Sequence, residues 1–374
     1  MRGINHTEPI RMFLCGDVMT GRGIDQVLPH PGDPALYESY VRDAREYAQL
    51  AEFAHGPIPR PVGFDYIWGD ALVKMDPTRT DVRIINLETS ITESDDFWRG
   101  KPVLYRMHPR NIGCLTAAHI SCCALANNHL IDWGEEGLQE TLRTLDAAGI
   151  AHAGAGRDAS EAERAAALDV PGKGRVMVFS LGSPTSGVPQ EWAATGDRPG
   201  VNLLEDLSEE TARRVANRML KGTRPGDVIV ASIHWGGNWG YHVPDEQISF
   251  GRRLIDEGVS IVHGHSSHHV KTIEVYRERL ILYGCGDFLS DYEGISGYEQ
   301  FRGDLTLMYL VDVDPRQGRL LKARLVPMQA RRFRLNRASA EDSQWLCDLL
   351  NRLCAPFETR AQLESDHSLT IHPA

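Results

Sequence analysis

Five short clusters of carboxylate, amide and imidazole residues punctuate the chain. The richest, Leu125-Ala-Asn-Asn-His-Leu-Ile-Asp132, sets Asn127, Asn128, His129 and Asp132 at the end of an apolar run. The others are Cys15-Gly-Asp17, Ile84-Ile-Asn86-Leu-Glu88, Ser232-Ile-His234-Trp-Gly-Gly and Val262-His263-Gly-His265-Ser-Ser-His268-His269. Each has an ordinary explanation when taken singly. Asp17 could cap a helix, Glu88 could be a surface acid, and His234 a satisfied core imidazole. Together they supply six or seven N and O ligands, enough for two divalent ions. Two ions about 3.5–4 Å apart clamp the attacking and leaving oxygens of a displacement and lower the pKa of a bridging water. The Asn carbonyl oxygen suits a mixed N/O site for Mn, Fe or Zn. Cysteine is absent from the candidate ligands, as expected for hydrolytic rather than structural metals.

The elements that must position these clusters follow from periodicity. Strands are expected at Ile10–Cys15, Val82–Asn86, Ile120–Ala126, Val176–Ser180, Val228–His234, Ser260–His263, Leu280–Tyr283 and Leu305–Val313. Helical spacing covers Pro34–Ala54, Glu135–Ala148, Glu161–Leu168, Glu209–Leu220 and Ile248–Glu257. Strands alternating with helices indicate an α/β layer structure with substantial parallel pairing. The turn Arg277-Glu278-Arg279 suggests a hairpin and a second, antiparallel sheet. The clusters thus fall where strands turn into helices, outside the carboxyl ends of the strands, where ligands of open α/β sheets collect. The segment Pro184–Gly200 is a long polar loop that could form a lid or merely connect.

Composition narrows the class. With 42% hydrophobic and 24% charged residues the chain is that of a soluble globular protein. A net charge of −11 argues against a nucleic-acid surface, although a metal pair could reverse the field locally. Met1–Pro9 carries no apolar signal core, and no window approaches the roughly 18 apolar residues of a membrane span. No membrane anchor is therefore expected. The seven cysteines show no Cys-x-x-Cys spacing, and Cys15, Cys122, Cys123 and Cys285 lie in apolar runs. A reduced, cytoplasmic location is the corresponding expectation.

In the order Gly-Asp, Asn-Leu-Glu, Asn-Asn-His, His-Trp-Gly, Gly-His-x-x-His, the clusters resemble the poly-γ-glutamate capsule synthesis protein family, the CapA-like branch of calcineurin-like metallophosphoesterases. The runs Ala126–Leu138 and Leu145–Gly156, with Ile273-Glu-Val-Tyr and Ile281–Phe288, strengthen the likeness. It covers about residues 10–330, so one domain over 9–330 and a C-terminal helical extension and tail over 331–374 are expected. Residues 340–355 should form a helix, and the tail through His372 should be poorly ordered.

The resemblance implies an α/β fold, a four-layer αββα sandwich with mixed sheets. It implies Asp17, Glu88, Asn128, His234, His265 and His268 as ligands to one or two divalent ions (Mn, Fe or Zn). It also implies His129 as proton donor to a leaving group, with Asp132 as its partner or as a helix N-terminal residue. Arg22 and Arg106 are candidate anion clamps, Arg106 being equally readable as a surface ion pair. Asn127 joins them as a candidate substrate-binding residue. Trp235 and Trp239 wall a pocket or pack the core.

Three positions depart from the family pattern. Met19 stands where the superfamily has the histidine of Asp-x-His. Gly264-His265-Ser-Ser-His268 replaces Gly-x-His-Pro-His, so either His265 swings in or Ser266 leaves a gap. Asp287 replaces the Asn of Gly-Asn-Phe and adds a carboxylate. A one-metal site is therefore open. The implied function is a hydrolase in which metal-bound hydroxide attacks a phosphoester of a small anionic or peptide-like substrate. The alternatives are amide-bond chemistry on glutamyl carboxylates and a catalytically silent metal-binding partner in polymer synthesis.

Overall fold

The structure is a computed structural model and describes residues 8–76 and 78–373. Met1–Thr7, where no signal core is expected, lie outside the described residues.

Val82–Leu87 and Val228–His234 are buried at every position, the mark of parallel strands covered on both faces. They belong to two different sheets. The large sheet runs in the order Thr359–Leu363, Leu369–Pro373, Leu320–Ala330, Leu305–Val313, Ile10–Val18, Val82–Leu87, Cys122–Ala124, Ala151–Ala153. Its half from Ile10–Val18 to Ala151–Ala153 is parallel and the other half antiparallel. The short strand Asp287–Leu289 joins the end of Ile10–Val18 in parallel. The small sheet runs Ile273–Tyr276, Arg279–Leu282, Ile261–His265, Val228–His234, Gly174–Gly182, Ala166–Val170, with a parallel centre and antiparallel edges.

Strand alternation assigns the layers. Met12, Leu14 and Ile84 of the large sheet meet Val178, Val230 and Leu282 of the small one in a shared core. Their neighbours Phe13, Cys15 and Ile85 face outward onto Trp68, Leu138 and Leu145. On the far side Phe179, Ile229 and Ala231 meet Val215 of the helix Glu209–Lys221 and Leu254 of the helix Asp245–Asp256. The result is the four-layer αββα sandwich of mixed sheets that the resemblance implies.

Local differences have local causes. The helix expected over Pro34–Ala54 spans only Arg45–His55, and an Ala35–Asp43 bridge occupies the stretch before it. The Ala-rich Glu161–Leu168 segment has helix propensity, yet only Ala159–Ala162 is helical. Ala166–Val170 pairs instead with Gly174–Gly182 as an edge strand. The hairpin at Arg277 and Glu278 forms as expected, both residues at positive φ (48° and 59°) as a mirror-type turn requires. It joins the small sheet rather than building a separate antiparallel one. The tail is not a loose end: Leu369–Pro373 pairs with Leu320–Ala330 and Thr359–Leu363 pairs with Leu369–Pro373, extending the large sheet past residue 330. The helix Ala340–Cys354 places Leu346, Leu350 and Cys354 in the core between the sheets. No helix among the described residues is long and apolar enough to cross a membrane.

One glycine is obligatory for the layout of the strand ends. A Cβ on Gly16 would lie 1.7 Å from the Gly286 carbonyl oxygen, inside any tolerable contact. Gly16→Ala should therefore force the two backbones apart, destabilising the protein by more than about 3 kcal/mol, toward the top of the range for single substitutions. Chemical denaturation checks this; a loss below about 1 kcal/mol would show that the strand ends are not held in contact.

Candidate functional site

Strand register brings the clusters together. Asp17, at the end of the first strand, lies opposite Asn86 on one side and Asp287 on the other. In the small sheet His234 lies opposite His265, and Ser232 opposite His263. Asp17 Oδ1 accepts from Asn86 Nδ2 at 2.7 Å, and its Oδ2 accepts from the Ser266 backbone N at 3.1 Å. Ser266 reaches that position at φ 104°, a conformation rarely adopted by a residue with a Cβ. The backbone of Ser266 thus ties the end of the small sheet to Asp17.

Two groups of side chains offer ligand atoms within 4.8 Å of one another, Asp17 with His234 and His265, and Asp17 with Glu88 and Asp287. His234 spans both halves. Its Nδ1 lies 2.9 Å from His265 Nδ1, and its Nε2 lies 3.1 Å from Asn128 Oδ1 and 3.7 Å from Glu88 Oε1. His265 stands in the group with Asp17 and His234. His268 is a member of neither group but touches the second, its Nδ1 lying 2.9 Å from Asp287 Oδ1. Met19 is buried and contributes only a sulfur that accepts from Gly21 N at 3.2 Å.

The electrostatics fit a cation. Burial, and then the neighbouring Asp287 carboxylate, raises Asp17 from its ordinary value to about 7. Burial followed by Asp17 and Asp287 raises Glu88 well above the usual carboxylate range. Burial holds His234 and His265 well below ordinary imidazoles, so both are neutral and carry a lone pair. Neutral imidazoles beside crowded carboxylates are the donor set of a hard or borderline divalent ion.

The sign of the pH dependence follows. The folded protein holds the Asp17 proton more tightly than the unfolded chain, so the associated stability is complete below about pH 4 and lost as pH rises through about 7. Chelator-treated protein should lose melting temperature between about pH 5 and pH 8, less so in Asp17→Asn, and Mn²⁺ should restore it at the upper end. A melting temperature indifferent to Mn²⁺ and unaltered by Asp17→Asn would sink this account.

Beside the carboxylates stands a second device. His129 Nδ1 lies 2.7 Å from Asp132 Oδ2 and 3.0 Å from Lys101 Nζ, while its Nε2 points toward Glu88 Oε1 at 4.0 Å. Lys101 also donates to Asp132 Oδ1 and to the Asn128 carbonyl. The Tyr105 ring stacks on His129 at 3.7 Å, and its backbone N donates to Asp132 at 2.7 Å. Burial, then the Lys101 charge, keeps His129 well below its ordinary value. Asp132 is raised by burial to about 7 despite Lys101. A cavity of about 620 Å³ opens from these groups, with Glu88, Lys101, Asn128, His129, Asp287 and Trp239 among its walls. Trp239 lies flat on Tyr298 at 4.0 Å, so it is a wall residue, whereas Trp235 packs in the outer core.

Three expected substrate contacts are placed otherwise. Asn127 is fully buried and used internally, its Nδ2 donating to Asn86 Oδ1 and the Leu87 carbonyl and its Oδ1 accepting from His129 N. Arg106 lies over the Trp133 ring at 3.8 Å and bonds the Ser94 carbonyl and Asp95, outside the cavity wall. Arg22 borders the cavity, but Asp291 takes its Nε and one terminal nitrogen, and Glu38 and Tyr47 take the other. It neutralises buried carboxylates instead of offering itself to an anion.

The loop Pro184–Gly200 acts as a buttress, with Ser186 Oγ donating to the His234 carbonyl at 2.9 Å and Trp192 facing Lys101 at 5.3 Å. Lys101, Tyr105 and Asp291 escape sequence reasoning because they sit in loops with no periodic or motif signal. Arg22→Met would leave Asp291 and Glu38 without their cation and should cost about 3–5 kcal/mol in urea denaturation. A loss under about 1 kcal/mol would return Arg22 to the role of an accessible anion clamp.

An αββα sandwich whose strand ends gather carboxylate and imidazole groups that could hold a metal ion sets the class, and comparison with known sequences specifies it further. The family described as bacterial capsule synthesis protein PGA_cap matches residues 11–292. A probable polyglutamine synthesis accessory protein of Mycobacterium tuberculosis is 48% identical over 368 residues, covering 98% of this chain and 97% of the relative. The capsule biosynthesis protein CapA of Bacillus anthracis is 23% identical over 290 residues, 76% of this chain and 60% of the relative. The PGA biosynthesis protein CapA of Bacillus subtilis is 25% identical over 298 residues, 79% of this chain and 66% of the relative. The chain belongs to the bacterial capsule synthesis protein family PGA_cap.

Proposed function

We propose that this protein is a metal-dependent hydrolase acting on a phosphoester, in an accessory role to polymer synthesis like the polyglutamine synthesis named for its mycobacterial relative. The observation that carries the reading is that the groups Asp17–Glu88–Asp287 and Asp17–His234–His265 stand next to the His129–Asp132 pair, with Glu88, His129 and Asp287 in the wall of one cavity. Asp17, Glu88, Asp287, His234 and His265 would hold a divalent cation, Mn, Fe or Zn, with Asn128 at their edge. Bound there, such an ion supplies charge to polarise a phosphoryl oxygen and to acidify water.

The protein's own residues then have distinct tasks. Asp132 accepts from His129 Nδ1–H and fixes the tautomer that presents Nε2 to the cavity. In the resting protein Nε2 carries a lone pair, since burial and Lys101 oppose the charged ring. An arriving phosphoester brings negative charge to that face and favours the imidazolium, so His129 acquires the proton it delivers to the leaving oxygen. Tyr105 holds the ring plane by stacking, and Lys101 anchors Asp132.

A second reading, a metal-binding but silent partner in polymer synthesis, draws on Met19, which takes a ligand position away from the site. Hydrolysis of generic phosphomono- and diesters with Mn²⁺, together with bound-metal content, separates the two. Turnover should fall about 10²–10⁴-fold in His129→Ala with metal content retained. Asp17→Ala and His234→Ala should lose both metal and turnover. Metal uptake with no turnover on any ester would favour the silent partner, and no uptake would defeat both readings.

A further inference from the structure

Behind the ligand histidines runs a chain of hydrogen bonds whose direction is set at one end. His263 Nε2 lies 2.7 Å from the Cys15 carbonyl oxygen, which can only accept, so Nε2 carries the proton. His263 is fully buried with a carbonyl and a hydroxyl as its partners and no carboxylate on it, so it is neutral. Its Nδ1 is therefore bare and takes the Ser232 hydroxyl proton at 3.0 Å. With that proton committed, the 2.9 Å contact between Ser232 Oγ and His265 Nε2 is satisfied only if His265 donates. A neutral His265 protonated on Nε2 has a bare Nδ1, and that atom faces His234 Nδ1 at 2.9 Å and Asp17 Oδ1 at 3.9 Å. Neither Ser232 nor His263 lines the cavity.

We propose that Ser232 and His263 are positioning residues that lock His265 in its Nε2–H tautomer, so that its Nδ1 lone pair is aimed permanently at Asp17 and His234 as a metal ligand. The chain begins on the backbone of the strand that carries Asp17, two residues before it, and ends on a histidine of the other sheet. One carbonyl thus sets both the place of the carboxylate and the protonation of the imidazole facing it. Outer partners of this kind fix ring orientation and tautomer in metal sites generally. The metal-ligand half of the inference rests on the reading given under Proposed function; the tautomer half does not.

The two halves are tested separately. Long-range ¹H–¹⁵N correlation on chelator-treated protein labelled in its histidine rings reports which nitrogen carries the proton. The His265 signals are identified by their loss in His265→Asn. The expected result is Nε2–H at both His263 and His265, and a proton on His265 Nδ1 would overturn the proposal. Calorimetric titration with Mn²⁺ alone should show Ser232→Ala binding about 10–100-fold more weakly than the unaltered protein. Equal affinities would overturn the positioning role. Should Ser232→Ala fail to fold, the spectrum of the unaltered protein still decides the tautomer. An Nε2–H His265 in a protein that takes up no Mn²⁺ would support the lock and defeat the metal reading.

Discussion

Three carboxylates held in one buried pocket, with no lysine or arginine hydrogen-bonded to Asp17 or Glu88 among the described residues, are the constraint on which the rest of this structure depends. Such a cluster is unfavourable by itself, because desolvation and mutual repulsion both penalise the charged forms. The fold sustains it with fixed dipoles: the Asn86 amide and the Ser266 backbone N–H on Asp17, and His268 on Asp287. Those contacts require two sheets to meet at one level and two backbones, at Gly16 and Gly286, to touch. The register of the parallel strands supplies that alignment without any dedicated loop.

The protein is not short of cations; it places them elsewhere. Arg22 is spent on Asp291 and Glu38, and Lys101 on Asp132. These pairs border the cavity, and the basic group facing the strand-end carboxylates is the His268 ring on Asp287. The field inside therefore favours a small, highly charged cation over an ammonium or guanidinium, and the neutral state of the two facing imidazoles points the same way. His129 has a carboxylate and a stacking partner of its own, Asp132 and Tyr105, and turns its Nε2 toward Glu88.

Most of the side chains that converge at the strand ends are legible in the chain because strand-end residues announce themselves: an apolar run, then Asp, Glu, Asn or His. Asp17, Glu88, Asn128, His129, His234 and His265 all obey that grammar, and Asp287 was visible as a departure from it. What was illegible is what depends on long-range partners. The Arg22–Asp291 contact joins residues 269 positions apart, and nothing near either one signals it. Asn127 looked as polar and as available as Asn128, yet one points at scaffold and the other at His234. The helix propensity of Glu161–Leu168 lost to edge pairing, and the last two strands, too short and polar to show a period, are held by Leu320–Ala330.

The position of Ile10–Val18 has a consequence for how the protein reaches its native state. This strand, among the first described, is flanked by Val82–Leu87 on one side and by Leu305–Val313 on the other, and Asp287–Leu289 completes its end. A ribosome releases its final neighbours only after some three hundred residues of chain. Until then Asp17 has no Asp287, no Ser266 amide and no second sheet. Loop-closure entropy makes such non-local pairing slow, so the carboxylate pocket belongs to the last events of folding, and a growing chain presents no half-built version of it to the cations around it.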